Sequence, residues 1–221
     1  MSAPYRTVLL DVDGTLVDSN YLHAIAWQRA FRGIGLELPA WRLLRQVGKG
    51  GDKLVAAVAG EQVEQEHGDE ARALHGDHFG ELIDEVRPLP GARELLVALH
   101  ERGVETVLAS SGKAEEVERY IDELLDARDL LAGWTSSGDV EQSKPAPDLL
   151  ETALARVSAR PALLVGDAVW DGEAARNAGI DFAALRSGGN CAADLREAGA
   201  IGVWDDAAAL AADLDGAGIA S

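Results

Sequence analysis

Short apolar runs alternate with longer amphipathic segments along most of this chain. The first run covers residues 8–10, and the later runs lie at 104–109, 130–135, 162–165, 182–185 and 201–204. Each run has the length of a buried strand, whereas the segments between them carry apolar residues three and four positions apart, as amphipathic helices do. This alternation predicts an α/β fold, with a parallel sheet covered by helices on both faces.

Residues 19–87 interrupt the alternation, and their pattern predicts successive helices. Two of these helices each have a mainly apolar face. The first face consists of His23, Trp27, Ala30, Phe31 and Ile34, and the second of Phe79, Leu82, Ile83 and Val86. The segment ends at 87–91, where two prolines and a glycine suit a hinge. The sequence therefore predicts a helical domain at 19–87, inserted into a Rossmann-like core of residues 1–18 and 88–221.

Two carboxylates, Asp11 and Asp13, follow the first predicted strand directly, and Gly14 then breaks it. At an effective dielectric constant of ~20, two like charges ~4 Å apart repel by about 4 kcal/mol. Aspartate and glycine are also ordinary turn residues, and for this pair alone a simple turn is the better interpretation. Residues that follow the later strands favour a functional site instead.

Three further segments after predicted strands carry the same kind of chemistry. They contribute the hydroxyl-bearing loop Ser110, Ser111 and Gly112, the proline-flanked Lys144, and the pair Asp167 and Asp171. Because the carboxyl ends of parallel strands meet at one edge of a sheet, we expect these groups to lie together. Carboxylate oxygens are the ligands that Mg²⁺ prefers, and small residues at a helix start suit an anion. Four carboxylates and one lysine leave this site negatively charged, so a phosphate dianion can approach only if a metal ion is also bound.

The four motifs together resemble those of the haloacid dehalogenase-like hydrolase superfamily, in order and in spacing. The first motif is the run from Asp11 to Asp18, the second is Ser110, the third is Lys144, and the fourth is Gly166 with Asp167 and Asp171. The resemblance covers nearly the whole chain, and the insertion resembles the cap domain of the phosphoglycolate phosphatase and β-phosphoglucomutase branch. It implies a Rossmann-like core with an inserted helical cap.

The resemblance also implies roles for the two aspartates of the first motif. Asp11 is expected to be the nucleophile that forms an aspartyl-phosphate, and Asp13 the general acid and base. Dehalogenases of this superfamily lack an aspartate at the position of Asp13, since halide needs no acid to leave. The presence of Asp13 therefore favours phosphoryl transfer.

The remaining motif residues are expected to bind the phosphoryl group and a metal ion. Ser110 and the backbone amides at Ser111 and Gly112 would hold phosphoryl oxygens, and Lys144 would neutralise charge. The resemblance implies Mg²⁺ as the cofactor, with three expected ligands: Asp11, the Asp13 carbonyl and Asp167. Asp171 is expected to orient Lys144 or a metal-bound water. Ala168 departs from relatives that carry a hydroxyl there, and Trp170 is either a pocket wall or a core residue.

Two residues of the insertion are candidate substrate contacts. His23 is predicted either to contact the substrate or to pack at the domain interface. Lys49 lies in a glycine-rich loop and is either an anion ligand or a solvated lysine. Lys53 is expected in the following helix, with Asp52 as its cap; Lys49 or Lys53 as a Schiff base, as in phosphonoacetaldehyde hydrolases, fits the surrounding sequence poorly.

The composition indicates which kinds of partner and which cellular location to expect for this protein. The 221 residues are 47% hydrophobic and carry a formal net charge of −18, which argues against a nucleic-acid partner. The apolar runs are too short to span a membrane, and the N-terminal residues lack a signal-peptide pattern. The single cysteine, Cys191, fits a reducing cytoplasm. We expect a cytoplasmic monomer or weak dimer acting on a small phosphorylated metabolite.

Two alternatives to a phosphatase remain open at this point. A hexose phosphomutase would use the same residues and transfer the phosphoryl group to a second hydroxyl instead of water. A phospho-accepting signalling domain would also use a strand-end aspartate, a hydroxyl, a lysine and Mg²⁺. The large insertion and Asp13 argue against the signalling domain.

Overall fold

The computed structural model describes residues 3–140 and 142–220 and confirms the predicted α/β fold. This part of the chain contains six strands: β1 Thr7–Leu10, β2 Glu105–Ala109, β3 Gly133–Thr135, β4 Ala162–Gly166, β5 Asp181–Leu185 and β6 Ala200–Trp204. They form one parallel sheet in the order β3-β2-β1-β4-β5-β6. From β1 the chain runs outwards through β2 to β3, then crosses back to β4 on the other side of β1 and runs outwards through β5 to β6. The gap between β1 and β4 is therefore the switch point of the sheet.

Helices cover both faces of this sheet, and the side-chain alternation of the strands explains why. Val8 and Leu10 of β1 pack into one buried cluster, with helices α5, α6 and α10, while Leu9 packs into the other, with α7, α8 and α9. The helices are α5 Ala92–Glu101, α6 Ala114–Arg119, α7 Asp148–Leu154, α8 Val169–Ala178, α9 Ala192–Glu197 and α10 Ala207–Ala211. A strand buried on both faces needs an unbroken apolar run, and β1 has one.

Residues 20–80, called the helical segment below, form helices throughout most of their length. The helices are α1 Asn20–Gly33, α2 Ala40–Leu44, α3 Gly51–Ala59 and α4 Glu61–Gly80. They bury an apolar cluster of their own that includes Trp27, Phe31 and Leu54. Ala26 and Phe79 instead belong to the cluster that contains Val8 and Leu10 of β1. The helical segment therefore has a separate small core and also rests on the main one.

Three local expectations differ from the structure. The strand predicted at 130–135 begins only at Gly133, because Arg128–Leu130 forms a 3₁₀ turn. The helix after β2 widens into a π turn at Tyr120–Leu124, and the last predicted cap helix ends at Gly80 with a 3₁₀ turn at Ile83–Glu85. In each case the backbone tightens or widens while the apolar residues still pack against the core, some of them, such as Ile83, Leu124 and Leu130, only partly buried.

Within residues 3–140 and 142–220, no helix combines the length and the apolar character that crossing a bilayer requires.

Candidate active site

A cavity of about 330 Å³ lies between the carboxyl ends of β1 and β2 and the helical segment. Seven of the residues predicted for the site line it: Asp11, Asp13, His23, Lys49, Ser111, Gly112 and Lys144. The other three, Ser110, Asp167 and Asp171, are buried close behind it. The topology thus brings together residues from four strand ends and from the helical segment.

Lys144 lies between two buried carboxylates. Its Nζ is 2.5 Å from Asp11 Oδ1 and 2.8 Å from Asp171 Oδ1. The second oxygen of Asp171 accepts the Ala168 N–H at 3.0 Å, so both oxygens of this carboxylate are engaged. Burial alone would lower the pKa of Lys144, but the charges of Asp11 and Asp171 outweigh it and raise that pKa. Lys144 therefore stays charged and holds Asp11 in place.

Asp11 itself is costly to ionise. Burial raises its pKa to about 7, the charge of Lys144 opposes this shift, and the nearby charges of Asp171 and Asp13 add to it. One lysine does not compensate a buried group of carboxylates completely.

Asp13 has the opposite environment. Its Oδ1 accepts the Ser19 hydroxyl at 2.5 Å and lies 3.3 Å from His23 Nε2. Burial favours a raised pKa, but the hydrogen bond and charge of His23 and the bond from Ser19 outweigh it, so the pKa of Asp13 is lowered. Two aspartates two positions apart are thus held in different protonation environments.

Asp167 receives two hydrogen bonds, one from within the first motif and one from a residue just after it. Thr15 Oγ1 donates to Oδ1 at 3.1 Å, and Asn20 Nδ2 donates to Oδ2 at 2.9 Å. Sequence analysis missed both donors, although a hydroxyl and an amide so close to the first motif were a usable signal. They orient Asp167 without a hydroxyl at Ala168. Burial, with Asp171 and Asp11 adding to it, raises the pKa of Asp167 well above its usual value.

The donor set suits a hard divalent cation. Carboxylate oxygens of Asp11, Asp167 and Asp171 all lie within 4.8 Å of one another, and the three residues are buried. Asp171 is paired with the charged Lys144. By contrast, among the described residues Asp167 accepts only from the neutral Thr15 hydroxyl and Asn20 amide, so Asp11 and Asp167 are the better candidate ligands of an ion. A Cβ at Gly188 would overlap the Asp167 carboxylate, so a side chain there would fill this space. The carboxylate of Asp13 faces Ser19 and His23, and ligation by its carbonyl stays a prediction.

The loop after β2 presents hydroxyl and amide groups to the cavity. Ser110 is fully buried, and its Oγ accepts the Gly112 N–H at 2.9 Å. The Ser111 hydroxyl is shielded from solvent and has no hydrogen-bond partner among the described residues. A buried hydroxyl without a partner costs about 1–3 kcal/mol, which an oxygen of a bound ligand would offset.

An aromatic stack forms the wall opposite the carboxylates. His23 lies on Phe79 with ring centroids 3.8 Å apart, and its Nδ1 is 3.3 Å from His75 Nε2. Trp27 stacks on His75 at 4.1 Å. Burial, followed by the charges of His23 and Lys113, lowers the pKa of His75 well below its usual value. His75 was missed by sequence analysis, although its position four residues before Phe79 places it on the buried face of α4.

Lys49 bridges the helical segment and the core. Its Nζ lies 3.7 Å from the Trp170 ring centroid and donates to Gln46 Oε1 at 3.0 Å. Trp170 is partly exposed and is not among the residues that line the cavity, so it is neither the core residue nor the pocket wall that the sequence suggested. Burial lowers the pKa of Lys49, with the charge of Glu173 opposing the shift.

The predicted cap at Asp52 is also wrong. Gly50 is the N-cap of α3, and Asp52 lies in the first turn. Its carboxylate instead accepts hydrogen bonds from Ser143, next to Lys144. The sequence pattern did not reveal this partner 91 positions away.

Four charged residues that line the cavity were not predicted as site residues: Asp52, Arg72, Lys113 and Glu116. Arg72 donates to Glu64 and Asp69, both at 2.8 Å. Burial raises the pKa of Glu116. The cavity lining thus carries four basic side chains and four acidic ones, so it is less negative than the chain as a whole.

Comparisons with known proteins identify the family. The model of the haloacid dehalogenase-like hydrolase family matches residues 5–179. A phosphoglycolate phosphatase from Pseudomonas fluorescens is 32% identical over 93% of this chain and 78% of the relative. A validoxylamine A 7'-phosphate phosphatase from Streptomyces hygroscopicus subsp. limoneus is 28% identical over 80% of this chain and 83% of its own length. The crystal structure of a hydrolase from Pseudomonas syringae matches with a TM-score of 0.89 and 31% identity, and covers 97% of this chain and 99% of that one.

The family model spans most of this chain, and relatives above 30% identity cover nearly all of it. The protein therefore belongs to the haloacid dehalogenase-like hydrolase family and is a phosphohydrolase.

Proposed function

We propose that the protein is a Mg²⁺-dependent phosphatase that hydrolyses a small phosphomonoester through an aspartyl-phosphate on Asp11. The observation that carries the proposal is the pair Asp11 and Asp13 at one cavity, one bound to Lys144 and the other to His23 and Ser19. Two carboxylates with different partners can perform two different steps of one reaction.

Asp11 is the proposed nucleophile. Its free carboxylate oxygen forms a bond to phosphorus while the bond from phosphorus to the ester oxygen breaks, and water later cleaves the acyl phosphate to release phosphate and restore the carboxylate. Lys144, at 2.5 Å, stabilises the ionised carboxylate and the charge that develops on the transferred group.

Asp13 is the proposed general acid and base. In the free enzyme its lowered pKa keeps it ionised. A bound phosphate dianion would raise that pKa through like-charge repulsion, so Asp13 would take up a proton on substrate binding. It then protonates the departing alkoxide, and as a carboxylate again it takes a proton from the attacking water.

The second loop is the proposed phosphoryl-binding site. The unpartnered hydroxyl of Ser111 and the backbone amides beside it suit phosphoryl oxygens. Ser110 Oγ accepts the Gly112 N–H, which leaves its own hydroxyl hydrogen free to donate.

Asp11 and Asp167 are the proposed side-chain ligands of Mg²⁺, with the Asp13 carbonyl as a further ligand. When bound, the ion supplies positive charge that lowers the cost of keeping Asp11 ionised and attracts the phosphate. Thr15 and Asn20 orient Asp167 for this role, and Asp171 holds Lys144 rather than the ion.

The helical segment is the proposed cap domain, within the predicted boundaries 19–87, and it selects the leaving group. His23, Lys49, Arg72 and His75 line the cavity from this side. The relatives are named as phosphatases of phosphoglycolate and of validoxylamine A 7'-phosphate. A cavity of about 330 Å³ whose lining includes four basic side chains favours a small, anionic ester such as phosphoglycolate.

The cellular setting is proposed from the exposed, free Cys191, which is compatible with a reducing cytoplasm. We propose a cytoplasmic enzyme that is a monomer or weak dimer.

The test is a screen of phosphate esters with Mg²⁺ and with EDTA. It includes 2-phosphoglycolate, glucose 1-phosphate with and without a bisphosphate activator, and p-nitrophenyl phosphate. We expect inorganic phosphate to be released only when Mg²⁺ is present. Isomerised sugar phosphate would show a mutase instead, and a phospho-enzyme that persists for minutes without turnover would show a signalling domain.

A further inference from the structure

The helical segment contacts the loop that carries Lys144 through one closely fitted pair. Asp52, in the first turn of α3, accepts the Ser143 N–H at 3.4 Å and the Ser143 hydroxyl. Ser143 is 7% exposed and Lys144 is 1% exposed. The residue directly before the buried lysine is therefore held by a carboxylate from the opposite side of the cavity.

Gly50 makes this contact possible. A Cβ at position 50 would overlap Cβ and Oγ of Ser143. The backbone of Gly50 has φ −67° and ψ 159°, which any residue adopts easily. Glycine is thus required here because the two segments of the chain approach each other closely, and not because of its backbone conformation. We call Gly50, Asp52 and Ser143 the latch.

Neighbouring contacts join the same surfaces. Lys53 donates to Gln142 at 3.3 Å, and Lys49 lies over Trp170 at the start of α8. Both pairs connect α3 or the loop before it with segments next to predicted site residues, because Gln142 lies shortly before Lys144 and Trp170 shortly after Asp167. The latch lies between them and is the contact nearest to Lys144.

We propose that the latch couples the position of the helical segment to the position of Lys144. Closing the segment over the cavity and placing the lysine against Asp11 would then occur in one step. Asp52 is in this sense a positioning residue, because it acts through Ser143 and does not touch the reacting atoms. The inference rests on the proposed phosphatase reaction for its kinetic readout, but not for its structural one.

An ordinary helix terminus is the competing explanation for Asp52. An acidic residue in the first turn stabilises a helix through its dipole, and this effect changes helix stability but not catalysis. Glu61, in the first turn of α4, is a matched control, because it has the same relation to its own helix.

The main experiment compares Asp52→Ala, Ser143→Ala, the double variant and Glu61→Ala in the full-length protein with Mg²⁺ and p-nitrophenyl phosphate. We expect each latch variant to lower kcat roughly tenfold with a smaller change in KM, because the lysine acts on the transition state. The double variant should lose no more than the worse single variant, since both remove one interaction. Independent, multiplied losses, or equal effects in Glu61→Ala, would overturn the inference.

Hydrogen exchange gives a readout that does not depend on turnover. Backbone amides at 142–147 should exchange several-fold faster in Asp52→Ala than in the wild type or in Glu61→Ala. Unchanged exchange there would contradict the coupling. If the wild type hydrolyses no ester, the proposed function fails while this exchange experiment still decides the latch.

A steric pair of variants guards against a loss of folding. Gly50→Ala should reproduce the faster exchange at 142–147 and the fall in kcat. Gly80→Ala is the control, because no described atom lies within 4 Å of its Cβ position. Equal behaviour of the two variants, with both folded by circular dichroism, would overturn the close-approach argument.

Discussion

At the scale of single residues, the site depends on what surrounds two aspartates of one motif. Asp11 lies among buried acids and has a raised pKa, while Asp13 faces His23 and Ser19 and has a lowered one. Their spacing in the chain does not distinguish them. Different partners at the two carboxylates create the chemical asymmetry that a two-step phosphoryl transfer needs.

The nucleophile assignment is tested by Asp11→Asn. The amide cannot attack phosphorus, so we expect kcat to fall by about 10⁴-fold or more, as for other nucleophile deletions. Lys144 keeps Asp171 as a partner, so the fold should remain intact by circular dichroism. Asp18→Asn, at an exposed position of the same motif, is the control and should keep its activity. Wild-type-like turnover in Asp11→Asn would exclude the mechanism.

The raised pKa of Asp11 also predicts a pH dependence of stability. Since its folded-state pKa is about 7, the folded protein holds a proton that the unfolded chain loses between about pH 4 and pH 7. The stability from this proton is present at low pH and disappears as the pH rises through that window. Metal ligands must be deprotonated, so Mg²⁺ should raise Tm more at about pH 8 than at about pH 5.5.

Thermal unfolding with Mg²⁺ and with EDTA at both pH values measures this dependence. Asp167→Asn is the matched variant and should remove most of the increase in Tm caused by Mg²⁺. Equal increases at the two pH values would contradict the assignment of the buried carboxylates as ligands.

At the scale of secondary-structure elements, burial was more predictable than backbone form. Val117 and Ile121 are buried as their spacing predicted, although a π turn carries the second of them. The strand β3 is shorter than expected, since it begins only at Gly133, after a 3₁₀ turn at Arg128–Leu130, yet Leu130 and Leu131 still pack against the core. Apolar spacing reports which side chains are buried, while the turn type depends on how the chain must enter the next strand.

A substitution in the core of the helical segment should destabilise that segment locally. Phe31 is fully buried in the apolar cluster that the segment forms, so Phe31→Ala should lower the free energy of unfolding by about 3–5 kcal/mol. We expect hydrogen exchange to rise within residues 20–80 while β1 and β4 keep their protection. Tyr21→Ala, at a side chain that is 56% exposed, is the control and should change stability by less than about 0.5 kcal/mol.

The opposite outcome is also informative. Ala26 and Phe79 belong to the cluster that contains Val8 and Leu10 of β1, so the helical segment is physically connected to the main core. A uniform rise in exchange across all strands would show one cooperative unit and would contradict the division into a cap and a core domain.

At the scale of the whole molecule, acidity is the dominant property. The chain has 38 acidic and 20 basic residues, so many carboxylates lack a counter-charge. Self-repulsion of this kind destabilises a compact state. The basic side chains at the cavity act locally against that field, which is how an acidic protein can admit an anionic substrate.

This acidity predicts that salt stabilises the protein. With EDTA present, raising KCl from about 20 mM to about 500 mM should raise Tm by several degrees, since the Debye length falls well below about 10 Å. The EDTA excludes a contribution from divalent ions. A fall in Tm would mean that surface ion pairs outweigh the net repulsion.

The sequence by itself determined the sheet, its strand ends and the main chemical groups of the site. Strand and helix periodicities are local, and parallel strands must end at one edge, so Asp11, Ser110, Lys144 and Asp167 were predictable as neighbours. Only the tertiary structure decided which partner each group meets. Asn20 reaches Asp167 across 147 positions, His23 meets His75 across 52, and Asp52 meets Ser143 across 91. These pairings depend on how the helical segment lies over the sheet, and no local periodicity encodes that placement.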